Sequence, residues 1–588
     1  MDVKELLSFK PDSTPQRDSS SAAPPGGDRG GDRGRKRIAV TTREEAGILK
    51  KPSIAPLLPD STSSGRDDAI TTARGGGDPI EGAVLGPEMT EEERLRIIQM
   101  VEDEPEVTPF TSQELKRVIS VLEKRIARNQ EMRIKFPDQP EKFMDSELEL
   151  HESVQELHAL ATVPDLYSLA VDLNLLSILL GCLAHENADI SCAVLDVLQE
   201  LTDVDTINEA EESTGLLIDN LIDLQAIGLL TQNLDRLDES NKDEADGVHN
   251  TLAIFENLFE IRPELCSTAG QNGLLTWLLK RIRSRMPFDG NKLYAGEMLA
   301  ILLQDNVENR ASLGNVEGID ILLQQLATFK RHDPSSNEEG EYMENLFNCL
   351  CSALLHGPNR DKFLKGEGPQ LMNLMLREKR QSRSGALKVL NHAVSGPDGT
   401  SNANKVVEIL GLRTLFPLFM KTPKKSKRKG ISALEHEEHC VSVIAGIIQH
   451  VMGPTRNRVL LKFEENDFEK VERLGELHFK YLSKVNQVDN DIVEELKKGG
   501  EAPDEDEVYL RRLDNGLFTL QLVDYIILET AVSNPRVKDR LAQIIQLRKG
   551  SMDTIKDIVR EYADNLGNEN EEWKHRQQES ITLLLEQF

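Results

Sequence analysis

At 588 residues the chain is long enough for a large core, and its formal net charge of −30 disfavours binding to duplex DNA or bulk RNA, whose phosphates need clustered cations. An acidic surface of this size favours basic partners instead. The low aromatic content, 4%, suits helices packed through Leu, Ile, Val and Ala rather than a β-sandwich, and no strand-like alternation is sustained.

Residues 1–88 are rich in Ser, Pro, Gly, Asp and Arg and too poor in large apolar side chains to offset the entropy of ordering, so a disordered tail is expected. Within it Arg33, Arg35, Lys36 and Arg37 form a compact basic cluster, the physical form of a nuclear localisation signal read by an import receptor. The plain alternative is a solvated charge run. No signal-peptide core opens the chain and no apolar run approaches 18 residues, so neither secretion nor a membrane span is expected.

Residues 89–160 read as an N-terminal helical cap. Thr90 with Glu93, and Thr111 with Glu114, have the spacing of capping boxes, and the second opens an amphipathic helix from Leu115 to about Ile134 that stops before Pro137.

Residues 161–463 carry a repeat. It is clearest from Leu293 to Leu326, where one apolar helix, a polar break, a short run to Gly314 and a third apolar helix after Gly318 follow one another. A glycine before a Leu/Ile-rich helix recurs at Gly228, Gly273, Gly318, Gly368 and Gly411, in steps of 45, 45, 50 and 43 residues. Glycine suits such junctions because it can take positive φ. An Asn followed by a basic residue recurs at Asn309-Arg310, Asn359-Arg360, Asn404-Lys405 and Asn457-Arg458. Steps in the mid-forties match armadillo or HEAT units, so the expected fold is all-α, an armadillo/HEAT-type right-handed superhelical solenoid with helical caps at both ends. Residues 464–588, where the punctuation fades, read as a C-terminal helical cap or atypical repeats. One repeat is interrupted by a basic loop, Lys424, Lys425, Lys427, Arg428 and Lys429, which is a second localisation-signal candidate, an internal ligand for the acidic surface, or a solvated loop. Thr422-Pro423 adjoins that loop, where a phosphate would add up to about two negative charges.

The chain has no phosphate-binding loop, dinucleotide fingerprint or nucleophile elbow, and no enzyme, cofactor or metal is expected. His436-Glu437-Glu438-His439-Cys440 spaces its histidines three apart rather than four and reads as a helix surface leading into a buried cysteine. The six cysteines lack CxxC spacing and read as reduced, mostly core thiols of an intracellular protein. In armadillo arrays the last helix of each repeat lines a concave groove. Aligning those helices makes Asp196, Glu200, Asp203, Asn257, Glu260, Glu297 and Asn391 candidates for holding an extended basic peptide, carboxylates for its cations and Asn amides for its backbone. Transport receptors of this architecture pair such Asn with Trp, and the two tryptophans here, Trp277 and Trp573, make no such ladder. A nuclear transport adaptor for basic cargo is therefore the second reading.

Stretches such as FPDQPEKFM, EADGVHNTLAI, GLLTWLLKRI, LAILLQDNVENR, FLKGEGPQLMNLMLREK and ILGLRTLFPLFMK, running from about Thr90 to the C-terminus, resemble the β-catenin-like family of armadillo proteins. That resemblance implies a nuclear, non-catalytic scaffold associated with the spliceosome through the pre-mRNA-processing factor nineteen complex. It also implies binding to basic, localisation-signal-like segments of splicing proteins, notably the Myb-type cell-division-cycle-five-like factor. Self-association is left open.

Overall fold

The computed structural model describes residues 110–204, 211–422, 432–498, 503–567 and 570–588, which are helical throughout their ordered elements. The basic clusters Arg33, Arg35, Lys36, Arg37 and Lys424, Lys425, Lys427, Arg428, Lys429, and the Thr90 cap, lie outside the described residues.

The long helices are numbered here in chain order. Helix α1 (Ser112–Lys135) starts on the expected capping box: Thr111 and Glu114 bond to each other's backbone N–H. It packs on α2 (Met144–Gln155). From α2 a ladder continues through α3 (Ala188–Leu201), α4 (Lys242–Ile261), α5 (Gly290–Leu303), α6 (Asn337–Ala353), α7 (Ser382–Val394) and α8 (Ala433–His450), each helix packed against the next. Two shorter helices precede each ladder helix from α3 onward, as Val307–Asn315 and Gly318–Leu326 precede α6. Two short helices and one long one form the armadillo unit, and no unit can bury its faces without its neighbours. The result is an all-α solenoid with one continuous Leu/Ile/Val core from Leu115 to Phe588.

Side-chain oxygens cap most ladder helices: Asn187, Asn241, Asp289, Ser336 and Ser432 each accept from a backbone N–H in the first turn that follows.

The glycine marker has a different cause from the one expected. Of the five glycines only Gly273 has positive φ, 99°. Ahead of Gly318, Gly368 and Gly411 it is the preceding residue that turns left-handed: Glu317, Glu367 and Leu410, at φ 59°, 62° and 63°. That residue ends the previous helix, and the glycine then lies directly on the side chain five positions earlier. A Cβ there would sit 2.5 Å from Leu313, 2.2 Å from Phe363 and 2.7 Å from Val406. These glycines are kept bare by packing rather than by backbone angle.

The Asn marker holds the repeats in register. Asn309 Nδ2 donates to the carbonyls of Cys266 and Leu302, both at 2.9 Å. Asn359 Nδ2 donates to those of Arg310, 2.8 Å, and Ala353, 3.0 Å. The next rung is Asn402, whose amide reaches the carbonyl of Arg360 at 3.3 Å, while Asn404 bonds only within its own helix, to the Thr400 carbonyl. The sequence register was therefore two residues off at this repeat, because Asn402 has no basic residue after it.

Past the repeats, α9 (Glu465–Lys497) begins with a left-handed turn at Asn466, Asp467 and Phe468. It packs on α10 (Leu517–Ser533) and α11 (Pro535–Leu547), and α10 is buried against α8, α9, α11, α12 (Met552–Asp564) and α13 (Glu571–Gln587). Polar side chains are carried inside in hydrogen-bonded pairs: His478 Nδ1 lies 2.7 Å from Asp524, and Glu529 joins Arg456 at 2.5 Å and the Tyr525 hydroxyl at 2.6 Å. Removing one partner would strand the other in a dry interior.

Candidate functional site

At the N-terminal end of the ladder α2, α3 and α4 enclose a cleft of about 590 Å³. Its walls carry Glu147, Asp189, Asp196, Asp243 and Asp246, with no Lys or Arg among the lining residues. Two apolar side chains one turn apart on α2, Met144 and Leu148, stand on its rim with 61% and 60% of their surface exposed.

The carboxylates are not equivalent. Glu147 is already engaged, by Arg133 and by Asn187 Nδ2 at 3.1 Å. Asp189 and Asp243 lie in the first turns of α3 and α4, where the helix dipole favours an anion. Asp246 is exposed in the second turn of α4, and Asp196 sits in mid-helix, accepting from Asn250 Nδ2 across the α3–α4 seam at 3.2 Å. Neither position is explained by helix capping. Cys192 points into the same cleft, and burial, with Glu244 and Asp189 nearby, pushes its thiol up to about 11.

Of the residues singled out from sequence, Asp196 and Glu200 come together. His158 lies between them, its Nδ1 2.7 Å from Glu200 and its Nε2 3.5 Å from Asp196. Asp196 lines the cleft, Glu200 stands one turn along, and Asp203 is half-buried just past the end of α3. Asn257 and Glu260 lie toward the other end of α4, with Asn257 about 16 Å along the helix from Asp246 at 1.5 Å per residue. Glu260 is exposed, and partial burial together with Glu256 holds its carboxyl above the ordinary range. Glu297 and Asn391, expected on the groove surface, are instead 2% and 3% exposed. The ladder helices on either side cover α5, and Asn391 accepts from the Ser395 hydroxyl inside its own helix end at 3.2 Å.

Sequence reasoning missed Met144, Leu148, His158 and Asn250. They come from the cap, a short helix and the first half of α4, and meet only through packing. It also missed Asn345, although a signal was present: Glu-Asn-Leu-Phe occurs at 256–259 and again at 344–347. Both Asn257 and Asn345 leave an amide Nδ2 without a protein acceptor. In the HEEHC segment, Cys440 Sγ lies 3.6 Å from His436 Nε2, and Glu437 turns to other partners. Among the described residues no three His, Cys, Asp or Glu side chains are grouped to hold a metal ion.

The family described as "Catenin-beta-like, Arm-motif containing nuclear" matches residues 92–560. Beta-catenin-like protein 1 of Homo sapiens is 56% identical over 488 residues, covering 82% of this chain and 87% of that protein. The Beta-catenin-like protein 1 homolog of Schizosaccharomyces pombe is 33% identical over 489 residues, covering 82% and 84%. A solved chain from work on the interaction between cadherin and beta-catenin aligns over 82% of this chain and 89% of its own length, at 16% identity and a TM-score of 0.38, a likeness too distant to build on.

Proposed function

The chain belongs to the catenin-beta-like family of Arm-motif-containing nuclear proteins, and on that premise we propose that it is a non-catalytic nuclear scaffold of splicing complexes. In this reading it works with the pre-mRNA-processing factor nineteen complex and holds basic, localisation-signal-like segments of splicing factors, the Myb-type cell-division-cycle-five-like factor among them. The observation that carries the binding half is the cleft between α2, α3 and α4, lined by five carboxylates, with His151 and no Lys or Arg among its residues.

Its chemistry suits a Lys/Arg-rich segment in three ways. Asp196, Asp243 and Asp246 offer anions to ammonium or guanidinium heads. Met144 and Leu148 on the rim give the aliphatic stems of those side chains an apolar surface to lie on. The Asn250 amide, held by Asp196, is placed at the seam where an extended backbone would run. The excess of negative charge also steers basic partners toward the chain, an attraction that salt weakens. The basic tail cluster is assigned to an import receptor, consistent with a nuclear protein that does not itself carry cargo.

The test is fluorescence anisotropy of the full chain with a labelled Lys/Arg-rich peptide from the Myb-type factor, over a salt series and against an RNA competitor. Binding is expected to saturate, to weaken with salt and to ignore RNA. Reversing Asp196 and Asp246 to Lys should weaken it at least tenfold, about 1.4 kcal/mol. Unchanged affinity in the double variant would remove the cleft as the site.

A further inference from the structure

The joint between the last repeat and the C-terminal helices is built around one carboxylate. Glu437, in the second turn of α8 and 5% exposed, accepts from four donors: the Thr422 hydroxyl, Arg473 Nη2 at 3.1 Å, Lys480 Nζ and the Tyr481 hydroxyl at 2.8 Å. The last three stand on α9. Arg473 Nη2 also donates to Thr422 Oγ1 at 2.8 Å, and its Nε reaches the Phe419 carbonyl at 3.2 Å. A third cation, Lys484, lies over the Tyr481 ring. Burial works against the Glu437 anion, yet these donors hold its carboxyl below the ordinary range.

Thr422 is half-buried, and Lys480, which donates to the other oxygen of the same carboxylate, keeps 38% of its side chain exposed, so the cluster reaches solvent. In sequence Thr422 is followed by Pro423, Lys424 and Lys425: a hydroxyl with proline next and a base at the third place, which is the pattern proline-directed kinases read.

We propose that Thr422 is a phosphoacceptor whose phosphate takes Arg473 and Lys480 from Glu437, switching the joint between α8 and α9 to a second set of ion pairs. In the transfer Thr422 Oγ1 attacks the γ-phosphorus of kinase-bound ATP. The Oγ–P bond forms, the bond to the bridging oxygen of ADP breaks, and the hydroxyl proton passes to the kinase's carboxylate base. The product replaces a donor to Glu437 with an ester of about two negative charges and three acceptor oxygens. Phosphate and carboxylate then repel, and the two cations favour the dianion. Glu437 keeps the Tyr481 hydroxyl. The proposal stands apart from the cleft reading, since none of its residues lines the cleft.

The experiment treats the full chain with ATP and a proline-directed kinase, locates the phosphate by mass spectrometry, and follows its second ionisation by phosphorus NMR against pH. Thr422 should be modified in the native chain, and Pro423→Ala should abolish modification. The phosphate pKa, about 6 in a free phosphothreonine, should fall by about one unit in the native chain. It should return toward the free value in Lys480→Gln, a partly exposed position whose fold is checked by circular dichroism, and in the wild-type chain unfolded in urea. Two results would overturn the proposal: a native chain left unmodified while a peptide of residues 416–430 is phosphorylated, or a phosphate whose ionisation is the same in the native chain, in Lys480→Gln and in urea.

Discussion

Asn359→Ala tests whether the Asn ladder, rather than helix packing alone, keeps neighbouring repeats in register. The Asn359 amide is fully buried and bridges two repeats, donating to Arg310 O at 2.8 Å and Ala353 O at 3.0 Å. Alanine leaves both carbonyls without this donor in a dry interior, where each orphaned acceptor costs about 1–3 kcal/mol. The lower end applies because both carbonyls belong to helices and have a second lone pair already in use, so the expected loss is about 2–3 kcal/mol. A solenoid does not unfold all-or-none, so the effect is local and a melting point dilutes it. Native-state hydrogen exchange reads it directly: peptides from Val307 to Val394 should lose roughly 30- to 150-fold in protection. The control is Asn404→Ala, whose amide bonds only to Thr400 O in its own helix and which should stay within about threefold of wild type. Equal protection in the two variants would refute the ladder.

Three further outcomes are expected. Gly368→Ala places a Cβ 2.2 Å from the Phe363 ring and should cost about 1–3 kcal/mol, read as lost hydrogen-exchange protection in peptides around Phe363, while Gly290→Ala, with nothing within 4 Å, should not lose protection around its own site; equal protection in the two would contradict the packing account of the glycine marker. Burial pushes His392 well below its ordinary 6.5, so the native state holds it neutral while the unfolded chain protonates it. The unfolded state then binds more protons, and stability conferred by this group is present above about pH 6.5 and lost as pH falls. Between pH 7 and pH 5 the wild type should lose up to about 1.4 kcal/mol per pH unit more than His392→Asn, and parallel curves would show that the buried ring is not responsible. Cys192 is the half-buried member of six free cysteines, the other five being buried, so it should be the first alkylated, slowly because its pKa is about 11. Saturating basic peptide should protect it, and an unchanged rate would place the peptide outside the cleft.

Much of the fold could be read from residue order because its signals are local. The Thr111–Glu114 capping box needs only three-residue spacing, and the helix it opens was placed within three residues at its start and one at its end. The repeat length survives loss of identity because a glycine lying on the side chain five positions earlier is a contact within one unit. Apart from the positive φ expected of the marker glycines, the readings that differ from the structure depend on contacts between units. Asn402 and Asn404 are both Asn on one short helix, and only the stacking of the preceding repeat decides which faces the Arg360 carbonyl. Glu297 and Asn391 carry the right side chains at aligned positions, but α5 and α7 are covered by their neighbours there.

Sequence alone thus determined the class of architecture, the ends of the first helix and the sign of the net charge, because hydrophobic period, caps and formal charge are properties of a few adjacent residues or of the whole count. Tertiary structure decided where that charge becomes a site. Met144, Leu148, Asp196, Asp246 and Asn250 are spread over about a hundred residues and three helices, and Thr422, Glu437, Arg473 and Lys480 over about sixty. No local period links them. They meet because each ladder helix must bury its apolar face on the next, and that stacking fixes which polar faces share a cleft and which are buried.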